Sequence, residues 1–305
     1  FAIEATRSGG ASIVPRIAPT VRVGLTETKY YVFNNSKEEQ TDDFDTERSP
    51  KGISNEVSRS YTSATLTTVQ HGLRELISDE EMDNADRAIV NPEQDSARLI
   101  VKKLRLGKAA ALNALLFDSS TTFSGYTGAA SAYWDAGSGA TYIESDIDKA
   151  KLSVALNAGV AANTIVIPPA IATIAKTAPE IRDLIKYTDP SLLVNGDLPP
   201  RLFGLDVIIP GMISNEADPG ISTPSIDYLA DDKAVWVGFV EREAPGKRSL
   251  SCFYDFVRPL AGVADIAMYR HRDEDRHGTV IEGLWEYVVK CTAPQAGYVI
   301  SAVDA

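Results

Sequence analysis

The paired stretches Lys29-Tyr30-Tyr31-Val32-Phe33 and Ser60-Tyr61-Thr62-Ser63-Ala64-Thr65-Leu66-Thr67-Thr68-Val69 decide how this chain is built. Both are rich in the aromatic and β-branched residues of strands, so the chain runs out along one and back along the other. Between them lie Asn34-Asn35-Ser36-Lys37-Glu38-Glu39-Gln40-Thr41-Asp42-Asp43 and Arg48-Ser49-Pro50-Lys51-Gly52. Phe44, Ile53 and Val57 are the only large apolar side chains of residues 34–57. A polar two-stranded ribbon is marginal alone in water. It is therefore expected to lean on something outside its own subunit, with a solvated, mobile tip.

An element of the opposite kind follows. Asn91-Pro92-Glu93 opens one long helix that runs to Phe117, with Asn as N-cap and Pro in the first turn. Ala97, Ile100, Val101, Leu104, Ala111 and Leu115 keep helical spacing, interrupted at Gly107-Lys108. Arg98, Lys102 and Arg105 form a basic stripe on another face. About 25 residues of helix span roughly 37 Å, enough for the backbone of a subunit. Ahead of this helix the chain is acidic, with Asp79-Glu80-Glu81, Asp83 and Asp86, and Ser78 with Glu81 fits a capping box for a short helix.

Working outward, residues 1–28 carry Gly9-Gly10, Pro15 and Pro19 without helical spacing and are expected to form an extended arm of low intrinsic order. Residues 118–145 are rich in Ser, Thr, Gly and Tyr and are expected to form a long loop. Asp146 is expected to begin a helix over Ile147 to Ala158, closed by Gly159. Thr164 to Ile167 reads as a buried strand, Ile171 to Tyr187 as a third helix, and Leu205 to Ile209 and Ala234 to Phe239 as further strands. Alternating helix and strand here suggest a compact α/β unit. Ser251 to Val257, Ala264 to His271, Gly278 to Cys291 and Gly297 to Val303 have strand composition, so the whole chain is α+β.

Composition narrows the function. The chain of 305 residues, 44% apolar and 24% charged, is that of an ordinary globular protein of one large domain or two modest ones. No apolar run approaches the ~20 residues of a membrane span, and Phe1 to Pro19 shows no signal-peptide core. A start at Phe1 rather than Met leads to the expectation that an earlier segment once preceded it. Cys252 and Cys291 alone make no disulfide framework, which fits a reducing compartment with both thiols free and structural. A net charge of −12 argues against a sequence-reading nucleic-acid binder, though not against a protein that merely surrounds nucleic acid.

Chemical motifs are sparse. Ala244-Pro245-Gly246-Lys247-Arg248-Ser249 resembles a phosphate loop, but Glu241 stands where the first Gly is needed and Arg248 replaces the hydroxyl residue. It reads as a plain turn. Gly137-Ser138-Gly139 lacks the first Gly of a nucleophile elbow, since Ala136 occupies it. His271, Asp273, Asp275 and His277 would share one face of an extended strand and form a weak metal candidate. Flanking strands favour a hairpin connection instead, and Arg270, Arg272 and Arg276 place positive charge beside any cation. The acidic run from Asp79 to Asp86 lacks the alternating pattern of a calcium loop. Neither a catalytic constellation nor a cofactor is expected, and the chain is not expected to be an enzyme.

The order of elements resembles the major capsid protein of tailed bacteriophages with the HK97 fold, and is most similar to the lambda-type subunits. The resemblance rests on Lys29 to Phe33 opening the ribbon, Ile77 to Asn84, and Asn91-Pro92 at the helix start. It rests further on Thr164 to Lys176 with Ile-Val-Ile-Pro-Pro, and on Gly278 to Pro294 with Trp285. It implies an N-terminal arm over 1–28, an extended β-ribbon (E-loop) over 29–72, and a peripheral domain over 73–145 and 246–294 with the spine helix at 92–117. An axial domain over 146–245 and 295–305 completes the implied subunit. It further implies self-assembly of many copies, as hexamers and pentamers, into an icosahedral virion capsid built in the host cytoplasm. That capsid would enclose double-stranded DNA without reading its sequence, with scaffolding, portal and cement or decoration proteins as partners and no membrane. Lys37, Glu38, Glu39, Arg48 and Lys51 at the ribbon tip, and Arg272, Asp273 and Arg276 at the hairpin, are the candidate intersubunit contacts. Covalent cross-linking, known in some relatives, finds no acceptor motif here. Two rivals remain: an encapsulin-like compartment shell holding an enzyme cargo, and an oligomeric α/β enzyme.

Overall fold

The computed structural model describes residues 13–33, 47–48, 50–54, 62–84, 91–134, 142–188, 198–215, 226–228, 230, 233–243, 245–260 and 266–303. In chain order the elements begin with α1 (Val14–Ile17), β1 (Thr20–Arg22), β2 (Glu27–Val32), β3 (Thr62–Thr67), β4 (Val69–Ser78), α2 (Asp79–Asn84) and α3 (Pro92–Leu116). Next come β5 (Thr127–Ala129), α4 (Ile143–Ala158), β6 (Thr164–Val166), α5 (Pro169–Thr177), α6 (Pro179–Thr188), β7 (Arg201–Leu202) and β8 (Leu205–Ile208). The last are β9 (Ile213–Asn215), β10 (Ile226–Tyr228), β11 (Val235–Gly238), β12 (Phe253–Arg258), β13 (Ala267–Asp273), β14 (Gly278–Cys291) and β15 (Gly297–Ser301).

β14 organises the first sheet. β4 runs antiparallel along one edge, from Gly278 opposite Ser78 to Tyr287 opposite Val69. The other edge is shared end to end by β13, opposite residues 278–284, and β12, opposite residues 286–291. β1 joins β12 in parallel. α3 lies across this sheet through Ile100 and Leu104. At Gly283 an added Cβ would meet Ile100 Cγ2 at 2.6 Å, so glycine lets the helix seat closely on the strand.

The second sheet has the order β5-β15-β11-β6-β8-β7. Strand alternation covers both its faces. Ile165, Val207, Val235, Val237 and Ile300 pack with Ile143, Ile147, Ile171 and Ile181 of the three helices. Val166, Ile208, Trp236 and Val299 turn the other way, into a core shared with α1, α3 and the first sheet. β2 and β3 form a separate antiparallel ribbon with Tyr30 opposite Ala64.

Several elements differ from the sequence expectation. The helix expected from Asp146 begins at Ile143, because Ile143 and Ile147 are both fully buried and carry the apolar face back one turn. Asp146 is not a cap. It accepts from Ser131 N at 3.2 and 3.0 Å and from Ser131 Oγ at 2.5 Å. The single helix expected over 171–187 is two, broken at Ala178, whose ψ of 132° is extended. Pro179 forces this by crowding the residue before it out of the α region. The sequence reading places no strand over 70–78, yet Val69–Ser78 is a ten-residue strand; Ile77 alone is buried in it, so it carries little hydrophobic signal. Thr127–Ala129 lies in the expected loop and in the expected peripheral unit, yet pairs with β15 of the second sheet. The arm expected over 1–28 is not extended throughout: Ile13, Val14, Ile17 and Ala18 are buried and Thr20–Arg22 pairs with β12. Residues 1–12 and the greater part of the ribbon tip, 34–46 and 55–61, lie outside the described residues.

Candidate functional site

The surfaces that a repeating subunit would use are the ribbon and the β13–β14 hairpin. β2 and β3 are polar at most positions, yet Tyr30 and Leu66 are only 8% and 2% exposed. They enter a small core with Val21, Val23, Tyr254 and Phe256. The Tyr30 ring lies 6.1 Å from that of Phe256, and Lys290 Nζ sits 5.1 Å above its face. Tyr31 N donates to Lys247 O at 3.0 Å, Lys247 Nζ donates to Thr28 Oγ1 at 2.6 Å, and Gln295 Nε2 donates to Phe33 O at 2.8 Å. Where β3 turns into β4, Thr68 Oγ1 donates at 2.5 Å to the buried Glu286 carboxylate, whose other oxygen accepts from Arg258 at 2.7 Å. The ribbon expected to have nothing of its own to bury is therefore rooted in its own subunit. Further out, Arg48, Lys51 and Ile53 are exposed, Ile53 to 96%, and Lys51 has a φ of 68° beside the Pro50 turn.

The phosphate-loop lookalike supplies part of that root. Gly246 N donates to Ser249 Oγ at 2.7 Å, Ser249 N donates back to Gly246 O at 3.2 Å, and Ser249 Oγ lies 2.7 Å from the Tyr254 hydroxyl. It is a turn whose lysine is committed to Thr28.

At the hairpin, β13 ends at Asp273 and Glu274–His277 is a turn, so the alternation that would align the four metal candidates stops at Asp273. His271 and Asp273 stand on the strand; Asp275 and His277 stand in the turn, where His277 has a φ of 45°. Among the described residues no three His, Cys, Asp or Glu side chains gather as a metal set. Arg272 forks onto Asp79 with both contacts at 2.7 Å and holds its carboxyl below the usual carboxylate range. Arg270 reaches Glu93 on α3 at 3.1 and 2.7 Å, and Asp273 accepts from Arg276 N at 3.2 Å. Arg272, Asp273 and Arg276 thus share one hairpin end. Arg48 and Lys51 lie on the ribbon, and Lys37, Glu38 and Glu39 lie outside the described residues.

Sequence reasoning missed the centre that joins these parts. Lys108 of α3 is buried against Asp255 of β12, with Nζ 4.0 Å from the Trp285 ring centroid and 4.8 Å from that of Tyr287. Thr20 Oγ1 donates to the same Asp255 oxygen at 3.2 Å. Burial, with Asp255 nearby, pushes the Tyr287 hydroxyl up to about 12. The only trace in the sequence was the interruption of apolar spacing at Gly107-Lys108. Cys252 is fully buried, and burial and the Cys291 thiol beside it push its pKa up.

A model of the phage capsid protein family matches residues 61–300. The chain belongs to that family. Similar solved structures include a phage-related protein from Bordetella bronchiseptica, 16% identical over 99% of this chain and 97% of that one, with a TM-score of 0.65. The capsid of a cyanophage is 11% identical over 94% and 87% of the two chains, with a TM-score of 0.60. An encapsulin from Synechococcus elongatus is 11% identical over 98% and 89%, with a TM-score of 0.57. At these identities the likeness is one of fold. None of the curated proteins matches this capsid protein in sequence. It is an α+β chain with the HK97-like capsid fold and a structural, shell-forming subunit of the virion, present in many copies. Among the described residues no helix is long and apolar enough to cross a membrane.

Proposed function

We propose that this capsid protein forms hexamers and pentamers that close into an icosahedral shell around a double-stranded DNA genome, assembling in the host cytoplasm and catalysing no reaction. The observation that carries the reading is the ribbon: its root is tied by Tyr30, Leu66, Thr28 and Phe33 to the body, while its outward residues Arg48, Lys51 and Ile53 are exposed. A rooted arm with an exposed end suits reaching onto a neighbour. Heterologous contacts of this kind build rings and shells from one chain. Residues 29–72 act as the E-loop. The first sheet with α3 (73–145 and 246–294) forms the peripheral domain, and the second sheet with its helices (146–245 and 295–305) forms the axial domain, joined by β5. Lys37, Glu38, Glu39, Arg48 and Lys51, with Arg272, Asp273 and Arg276, make intersubunit contacts. Scaffolding, portal and decoration proteins complete the particle. A net acidic wall is compatible with DNA that is driven in rather than attracted.

Sedimentation and electron microscopy of native particles test this. Closed shells containing nuclease-protected DNA are expected; a stable monomer or small dimer as the sole native form overturns the reading. The encapsulin alternative rests on the likeness in fold to the Synechococcus elongatus encapsulin. Shells that hold protein cargo and no DNA would establish it.

A further inference from the structure

The second sheet ends in a cleft of about 540 Å³ lined by Pro15, Arg16, Pro200, Arg201, Asp206 and Arg242. Arg201 Nε donates to Asp206 Oδ1 at 2.7 Å, and Arg242 donates to the other carboxylate oxygen. Arg242 Nη2 also donates to Thr164 Oγ1 at 3.1 Å, and Arg16 Nη2 to Val207 O at 3.4 Å. The three guanidiniums come from α1, β7 and the segment after β11. Among the described residues Asp206 is the only carboxylate lining the cleft, against three guanidiniums, in a chain of net charge −12. Each guanidinium has five N–H donors, and these bonds leave several of them unused.

We propose that this cleft binds a phosphate group. Asp206 bridges Arg201 and Arg242 with one carboxylate oxygen to each, so neither guanidinium has its fork taken by a carboxylate. A tetrahedral oxyanion accepts donors from several directions, which suits guanidiniums arriving from three elements. Asp206 fixes two of them in place, so little side-chain freedom is lost on binding. The phosphate is either free inorganic phosphate or the backbone of enclosed nucleic acid.

Equilibrium binding of radiolabelled inorganic phosphate to DNA-free shells, at fixed ionic strength, tests the proposal. Saturable binding is expected, weakened about tenfold or more in Arg16→Gln/Arg201→Gln, where charge-assisted donors are lost. Arg16→Lys/Arg201→Lys keeps the charge without the fork and should fall between. If the double glutamine variant does not assemble, Arg16→Gln alone serves, because its bond among the described residues is to a carbonyl rather than to Asp206. Short duplex DNA that displaces the label makes the backbone the source; binding indifferent to duplex makes it free phosphate. Only that arm depends on the shell enclosing DNA. Absence of saturable phosphate binding, or equal binding by wild type and glutamine variants, overturns the proposal. So does loss of assembly in the variants when wild-type shells bind no phosphate, which would hand the cleft to a neighbour's carboxylate.

Discussion

Lys108 stands in the helical row of Ile100, Leu104 and Leu112, where spacing calls for an apolar side chain. Its ammonium is tolerated there because Asp255 and the faces of Trp285 and Tyr287 surround it. Removing one charge strands the other in the core, so Asp255→Ala should cost about 3–5 kcal/mol. Lys108→Met combined with Asp255→Asn should recover most of that loss. Urea unfolding of unassembled subunits checks both, and simple additivity of the single changes would contradict the coupling. Tyr287 gives a second test. Its folded pKa of about 12 lies above the unfolded value near 10, so its contribution is whole below pH ~10 and fades as pH rises toward 12. Unfolding midpoints measured between pH 9 and 12 should fall in wild type and fall less in Tyr287→Phe. Cys252, its thiol held protonated by burial, should be slow to alkylate in native particles. Denaturation should release two free thiols, and a disulfide-linked species in fresh particles would contradict this.

Among the elements, the ribbon divides into a root that the body orders and an exposed reach. Trypsin should cut at Arg48 and Lys51 quickly in unassembled subunits and slowly in mature shells, where a neighbour would cover them. Equal protection in both states would make the reach part of the subunit's own body. The β13–β14 hairpin is braced differently, by exposed ion pairs to α2 and α3. Such pairs contribute little alone, so Arg272→Ala should leave the subunit's unfolding midpoint nearly unchanged. Asp79 is held below its usual range by Arg272, so its small contribution is present at neutral pH and is lost as acid protonates it. A larger effect of Arg272→Ala on shell yield than on subunit unfolding would mark the hairpin as a contact between copies.

For the molecule as a whole, two sheets share one core through α3 and α1, so the body should fold without its neighbours. Deleting residues 36–56 with a short connecting turn leaves Tyr30, Leu66, Thr28 and Phe33 at the root. The deleted chain should therefore unfold cooperatively like the parent while failing to form shells. Normal shells from the deleted chain, seen by microscopy, would remove the ribbon from the assembly mechanism.

The sequence by itself determined what depends on neighbours in the chain. Asn91-Pro92 opens the long helix, with Asn91 Oδ1 accepting from Gln94 N at 3.4 Å. Ser78 and Glu81 form their reciprocal cap at 3.1 and 3.2 Å, Gly159 closes α4 with a φ of 69°, and β2 pairs with β3. Caps, turns and strand composition act over a few residues, so they are legible without a structure. Tertiary structure alone decided the rest. β4 is a strand because β14 offers it an edge, since backbone hydrogen bonds do not depend on side-chain pattern. Asp146 and Lys108 are buried because Ser131 and Asp255 meet them across 15 and 147 residues of chain, and Arg16 of the cleft reaches the Val207 carbonyl across 191. Burial of a charge is settled by its partner, and a partner distant in sequence is brought near only when the chain has folded.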